Sequence, residues 1–208
     1  MVKVVTIERE FGSGGPQIAK LLAERLGWKL WDQLLTSEIA RAAQCDRSQV
    51  AEREERMDPL YYRLLKSFLR GSFEGSLNVY RLKLLDADTI FRLTQRIVRE
   101  AAAAGNCVIV GRGSAFFLEN RKDAFHVFLY APYEDKIRRL VASGTTEAEA
   151  IRQVDTVDQD RADFIKKYFD KVWPCRTRYH LMINSRIGDE AVVETILNGI
   201  ATLEKHPA

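Results

Sequence analysis

Four consecutive residues, Gly12-Ser13-Gly14-Gly15, carry the clearest chemical potential in this chain. They stand between a β-branched run, Val2-Lys3-Val4-Val5-Thr6-Ile7, and a segment with helical spacing at Ile18, Leu21, Leu22, Arg25 and Leu26. A loop between a strand end and a helix start offers unpaired backbone N–H groups at the positive end of the helix dipole, and glycines let an anion approach. This context predicts a phosphate site. Two motifs compete for it. The dinucleotide fingerprint GxGxxG would use Gly12 and Gly14 but meets Gln17 at its third glycine, with Asp32 as its acidic residue. The triphosphate motif GxxxxGK followed by Ser or Thr, aligned through Gly14, puts Arg9 at its first glycine, Gly15 at its lysine and Pro16 at its hydroxyl. The long approach Glu8-Arg9-Glu10-Phe11 between strand and first glycine favours the triphosphate loop. A glycine-rich turn with no ligand also stays open.

Two further features point toward phosphate. Gly111-Arg112-Gly113 follows the apolar run Cys107 to Val110, so an arginine suited to bidentate phosphate binding stands at a strand's carboxyl end. Residues 161–178 hold six basic residues, Arg161, Lys166, Lys167, Lys171, Arg176 and Arg178, against Asp163 and Asp170, a local +4. Such a segment could close over phosphates and neutralise charge developing in transfer, although a solvated helix face is the ordinary explanation. His126 lies inside an apolar strand and reads as structural, His180 precedes a strand, and His206 is in the tail. Trp28 and Trp31 read as packing beneath the first loop. Cys45, Cys107 and Cys175 have no neighbouring acid or base that suggests nucleophilic work.

The elements that must position these residues alternate. Strands are predicted at Trp28–Trp31 (ending at Asp32), Cys107–Val110, Phe125–Tyr130 and Leu181–Asn184, and helices at Asp88–Ala104, from Tyr133, and at about 189–203. This pattern predicts one doubly wound α/β domain with a parallel sheet and its ligand beyond the carboxyl ends of the strands. Residues 46–85 and 144–178 do not fit the alternation and read as insertions able to move as lids, or as plain helical hairpins. With 208 residues, 46% apolar, and 32 basic against 29 acidic side chains, the chain is globular, and +3 does not mark a nucleic-acid or membrane binder. No apolar run approaches a membrane span, no secretory signal is legible, and three scattered cysteines suit a reducing, cytoplasmic setting.

Glu8 to Gly15, with Ile18-Ala19 and Leu21 to Ala23, resembles the opening of the cytidylate kinase-like proteins, P-loop relatives of the nucleoside monophosphate kinases. Trp31-Asp32, Cys107 to Gly113, Asp160-Arg161-Ala162 with Tyr168, Trp173, and Tyr179-His180-Leu181 to Asn184-Ser185 resemble the same family in order. The resemblance implies a P-loop NTPase fold of three α/β/α layers with a parallel sheet. Its core would be residues 1–35, 86–143 and 179–208, its helical monophosphate-binding insert 36–85 and its helical lid 144–178. It implies transfer of the γ-phosphoryl group of ATP, with Mg2+, to a nucleotide or other small phosphate acceptor, and no nucleic-acid or membrane partner. Gly12, Ser13, Gly14, Gly15, Pro16 and Gln17 would hold the donor phosphates. Asp32 and Arg112 would face the acceptor, and Arg152 and Arg161 would be lid arginines.

The chain departs from the family pattern at the Walker lysine and the hydroxyl after it, here Gly15 and Pro16. It also has Val110 and Gly113 where cytidylate kinases carry acidic residues around the Gly-Arg turn. Arg9, placed in the loop and free to swing toward the β- and γ-phosphates, is the expected replacement, with Lys20 a weaker one. Ser13, Glu10 and Asp32 are the nearby oxygens that could hold a metal. A homodimer through the insert would use Tyr61, Tyr62, Leu65, Phe68 and Leu69. Two alternatives remain: a nucleotide-binding module with little catalysis, and a dinucleotide-dependent oxidoreductase.

Overall fold

The computed structural model describes residues 1–32, 34, 35, 37–39, 41 and 87–206. Among the described residues five strands form one sheet: β1 (Val4–Arg9), β2 (Lys29–Trp31), β3 (Cys107–Val110), β4 (Ala124–Tyr130) and β5 (Leu181–Asn184). Their spatial order is β2-β3-β1-β4-β5, and every pairing is parallel. Dinucleotide-binding sheets set the second strand beside the first. Here β3 separates them, with Thr6 opposite Ile109 on one side of β1 and His126 on the other. The topology therefore departs from the oxidoreductase alternative.

Helices cover both faces. α1 (Gly15–Leu26) and α6 (Asp189–Lys205) lie on one, where Ile18, Leu22, Val192 and Ile196 meet Val5, Ile7, Val127 and Leu129. On the other, α2 (Ala87–Ala104), the single turn α3 (Ser114–Phe117) and part of α5 (Glu147–Phe169) cover Val4, Cys107 and Ile109. Alternate residues of β1 thus enter different clusters, as period-two side chains require. With helices on both faces and a strand on each edge, all six residues of β1 are buried. This is the three-layer α/β/α arrangement.

β1 runs two residues further than its apolar run suggests. Glu8 and Arg9 still pair with Phe128 and Leu129 of β4. Their charge marks the carboxyl edge of the sheet, not a loop. Elsewhere the sequence boundaries agree closely: Gly27 (φ 65°) caps α1, Gly105 (φ 71°) follows α2, and β5 covers the expected four residues.

α4 (Tyr133–Ala142) follows β4, and α5 then folds back across it, with Ile137, Ala150 and Val154 in contact and Phe11 and Leu140 against them. Thr146 starts α5 by accepting a hydrogen bond from the Glu149 N–H, the pattern of a capping box. Its far end is anchored by aromatic rings: Tyr168 stacks on Phe91 at 4.3 Å and Phe169 on Phe116 at 4.8 Å. The segment read as a mobile lid is docked at both ends. The insert at 36–85, and with it the apolar stripe proposed for a dimer, lies outside the described residues apart from a few positions up to Arg41. Among the described residues no helix is long and apolar enough to cross a membrane.

Candidate functional site

The glycine loop starts α1 without any side-chain cap. Gly12 and Gly14 adopt φ 78° and 81°, and Gly14 is the N-cap. The first-turn N–H groups of Gly15 and Gln17 therefore face outward at the positive pole of a 12-residue helix, while Pro16 has no N–H to contribute. Close approach explains these glycines as much as backbone freedom does. A Cβ on Gly12 would lie 2.9 Å from that of Lys136, and one on Gly14 would collide with the Arg139 guanidinium.

Arg9 is the central side chain. As the last residue of β1 it is 7% exposed and does not swing in a loop, which corrects the sequence expectation. It lies between two glycines: a Cβ on Gly15 would sit 2.7 Å from its Cγ, and one on Gly111 2.9 Å from its Cζ. The space beside the Walker lysine position is therefore filled by Arg9. Its guanidinium lies beside Gly111 and makes no hydrogen bond or ion pair among the described residues, and Arg9 is one of the residues that line a cavity of about 300 Å³ in front of the loop. Gly12, Gly14, Gly15, Pro16, Gln17, Arg139 and Arg161 share that lining.

Arg161 of α5 is held beside it. Its Nη1 donates to the Arg9 carbonyl at 2.8 Å and to Asp158 Oδ1 at 2.9 Å. The same Asp158 oxygen accepts the Phe11 N–H at 2.8 Å, which ties α5 to the approach of the loop. Lys136 of α4 completes the network, 3.1 Å from Glu10 and 3.7 Å from Asp158. Burial raises the Asp158 pKa, against the pull of Arg161, the Phe11 N–H and Lys136.

Behind Arg9 lies the Gly-Arg-Gly turn. Arg112 is 3% exposed and left-handed at φ 63°, a conformation that costs a non-glycine residue about 1–2 kcal/mol. The Gly111 N–H donates to the Ile7 carbonyl at 2.9 Å, which places the turn beside the end of β1. Burial lowers the Arg112 guanidinium to about 9; the charges of Arg9 and Arg161 push the same way, and Asp32 opposes them. Arg161 falls to about 10, through burial first and Arg9 next. Glu8 moves the other way, raised by burial despite Arg9, Arg161 and the N–H groups of Ala115 and Ser114. A small chamber of about 20 Å³ lies among Glu8, Arg9, Arg112, Arg161 and Trp173. Arg9, Arg112 and Arg161 share one buried region, where the charges of Arg9 and Arg161 disfavour protonation of Arg112 and that of Arg9 disfavours protonation of Arg161. An anion entering this region would relieve that stress.

The structure thus gathers Arg9, Arg112, Arg161, Asp32 and Gly12 to Gln17 at the carboxyl edge of the sheet. It does not bring Arg152 there: that side chain is 71% exposed, pairs with Glu149, and does not line the cavity. Lys20 is equally remote, 70% exposed and 3.9 Å from Glu24. Of the six basic residues in 161–178, only Arg161 lines the cavity. Lys166 pairs with Asp170, Lys167 lies over the Tyr168 ring, and Arg178 pairs with Glu119. Lys136 and Arg139 were missed. Their i, i+3 spacing on the helix after β4 was the available signal, because it puts two cations on one helix face at the sheet's carboxyl edge. His126 and His180 are structural, as expected: Thr6 Oγ1 lies 2.7 Å from His126 Nδ1, and His180 Nδ1 accepts the His126 N–H.

The oxygens named for Mg2+ do not make a metal site. Ser13 is fully buried and its hydroxyl donates to the Glu10 carbonyl at 2.8 Å. The Glu10 carboxylate is paired with Lys136, and Asp32 sits in the field of Arg112. Pro16 supplies no hydroxyl. No group of three or more His, Cys, Asp or Glu side chains converges among the described residues. Phosphate fits this site; a protein-held divalent cation does not.

Comparison with known proteins bears on the fold and the family. The chain superposes on an uncharacterised protein of Eubacterium ventriosum ATCC 27560 with a TM-score of 0.68 at 21% identity, covering 97% of this chain and 99% of that one. Shikimate kinase from Acinetobacter baumannii, solved with shikimate, gives 0.53 at 16% identity over 100% and 97% of the two chains. Shikimate kinase from Bacteroides thetaiotaomicron gives 0.51 at 16% over 94% and 97%. At such identities the likeness establishes the fold, that of P-loop kinases. No curated protein matches the sequence. The model of the cytidylate kinase-like family matches residues 4–187, which takes in the glycine loop, the Gly-Arg-Gly turn and Arg161; this chain belongs to that family.

Proposed function

We propose that this protein is an ATP-dependent phosphotransferase of the nucleoside monophosphate kinase type. The observation that carries the proposal is Arg9, a buried residue of the glycine-loop cavity lining whose stem packs beside Gly15 and whose guanidinium lies beside Gly111. Phosphoryl transfer needs positioning and stabilisation of charge on the transferring oxygens, and little else. In this reading the first-turn N–H groups and Arg9 hold the donor phosphates, and Arg161 follows the transferring group. Arg112 and Asp32 face a nucleotide or other small phosphate acceptor. An acceptor oxygen attacks the γ-phosphorus, the bond to the bridging oxygen breaks, and ADP leaves with the electron pair. A phosphate monoester is already largely ionised near neutral pH, so its attacking oxygen needs no general base.

The test is a coupled assay with ATP across nucleoside monophosphates and then other phosphorylated small molecules. Turnover that Arg9→Ala abolishes supports the proposal; absence of transfer to every acceptor sinks it. A second reading, a nucleotide-binding module with little catalysis, is favoured by Pro16 and by an Arg9 wedged in place. In that case ATP raises Tm by mass action while turnover stays at background.

A further inference from the structure

We infer that the glycine-loop cavity takes the polyphosphate chain of a nucleoside triphosphate without a magnesium ion, guanidinium groups doing the neutralising that a metal does elsewhere. The inference rests on the reading that this cavity receives the donor nucleotide.

In a P-loop kinase the metal bridges the β- and γ-oxygens, neutralises them and is anchored by a hydroxyl after the lysine. Here the anchor position is Pro16, and the loop hydroxyl Ser13 is turned away to donate to the Glu10 carbonyl. Among the described residues the hydroxyl residues in the lining are Ser143, which donates to the Leu140 carbonyl at 2.7 Å, and Thr145, both past the end of α4. Among the described residues the one carboxylate on the cavity wall is Glu10, already paired with Lys136. Against this stand three guanidinium-bearing residues in the lining, Arg9, Arg139 and Arg161. Arg139 is held by Asp189 at 2.9 Å and Arg161 by Asp158 at the same distance, so both are fixed in orientation. Arg9 makes no side-chain hydrogen bond or ion pair among the described residues, shares the field of Glu8, and lines the cavity beside the uncapped start of α1.

Guanidinium forks suit this work, because each presents parallel N–H donors that match two phosphate oxygens. A triphosphate brings its own oxygens to these donors and to the N–H groups of Gly15 and Gln17. A divalent cation entering the same space would meet guanidinium groups and a carboxylate already engaged. The metal-free anion is therefore the form to which the cavity is complementary.

The experiment is isothermal titration of the full chain with ATP and with inorganic tripolyphosphate, in excess EDTA and in excess MgCl2. Both probes are expected to bind in EDTA with a Kd no weaker than about threefold that in magnesium. Arg9→Gln should weaken the EDTA-side affinity by tenfold or more, and Arg9→Lys, which keeps the charge but loses the fork, by less. Should Arg9→Gln fail to fold, Arg139→Gln at the cavity mouth carries the same expectation. Binding at least tenfold tighter with magnesium overturns the metal-free inference and leaves the nucleotide site standing. Unchanged EDTA-side affinity in the arginine variants also overturns it. No binding of either probe under either condition overturns both the inference and the proposed function.

Discussion

Restoring the Walker lysine should harm this protein. Gly15 is the first residue of α1 and its φ is not left-handed, so the backbone accepts a side chain there. Replacing a helical glycine gains at most about 1 kcal/mol. The obstacle is Arg9: the new Cβ would lie 2.7 Å from its Cγ and 3.2 Å from its Cβ. These are the rooted atoms of a buried side chain and cannot rotate clear as a terminal group would. Overpacking of this kind costs about 1–3 kcal/mol. Gly15→Lys should therefore lose about 1–2 kcal/mol net, a fall in Tm of about 2–8 °C for a chain of this size. Removing the obstacle should reverse the sign, so that Gly15→Lys is better tolerated in an Arg9→Ala background by about 1–3 kcal/mol of coupling. Urea denaturation of the parent, both single variants and the double closes the cycle. ATP titration of the same four proteins reports whether the new lysine takes over the phosphates. A Gly15→Lys protein as stable as its parent, with coupling below about 0.5 kcal/mol, would refute the assignment of this space to Arg9.

Two further outcomes follow from the buried charges. Burial, His180 and Arg178 lower His126 from 6.5 to about 4, so the unfolded chain binds more protons between these values and stability falls as pH drops through the window. The loss amounts to about 3 kcal/mol; urea midpoints at pH 7 and pH 4 should show it in the parent and far less in His126→Gln. Arg161→Met leaves Asp158 buried with Lys136 at 3.7 Å as its remaining cation, and should cost about 3 kcal/mol or more. An Asp158→Ala/Arg161→Met double variant should recover part of that, and a null result in the same denaturation series would show that α5 is not tied to the loop by this pair.

Local chemistry made most of the elements legible. Gly27 and Gly105 mark the ends of α1 and α2 in sequence as they do in space, because a left-handed cap selects glycine. The continuous apolar run at Cys107–Val110 was recognisable as a buried parallel strand for the same kind of reason, and Leu181–Asn184 as a short strand. The glycine loop, Arg112 and Arg161 were nameable from residue type and position. Arg152 was misplaced because a resemblance carries a position along the chain, not the side of a helix that meets the site. Lys136 and Arg139 went unseen because Arg138 adds a third basic residue to their helix, so the i, i+3 spacing marks a shared face and packing decides that this face meets the site.

By itself, then, the sequence determined an alternating α/β chain, a glycine-rich loop at the head of the first helix, and the absence of the Walker lysine and its hydroxyl neighbour. Only the tertiary structure put β3 between β1 and β2, which separates the P-loop arrangement from the dinucleotide one, since strand order depends on crossovers that local pattern does not encode. It alone moved Arg9 from a loop into a strand. Whether a charged pair such as Glu8-Arg9 ends a strand or continues it depends on what the neighbouring strands offer to pair with. β4 offers Phe128 and Leu129, and the side chain is thereby fixed with its stem beside Gly15 and its guanidinium beside Gly111.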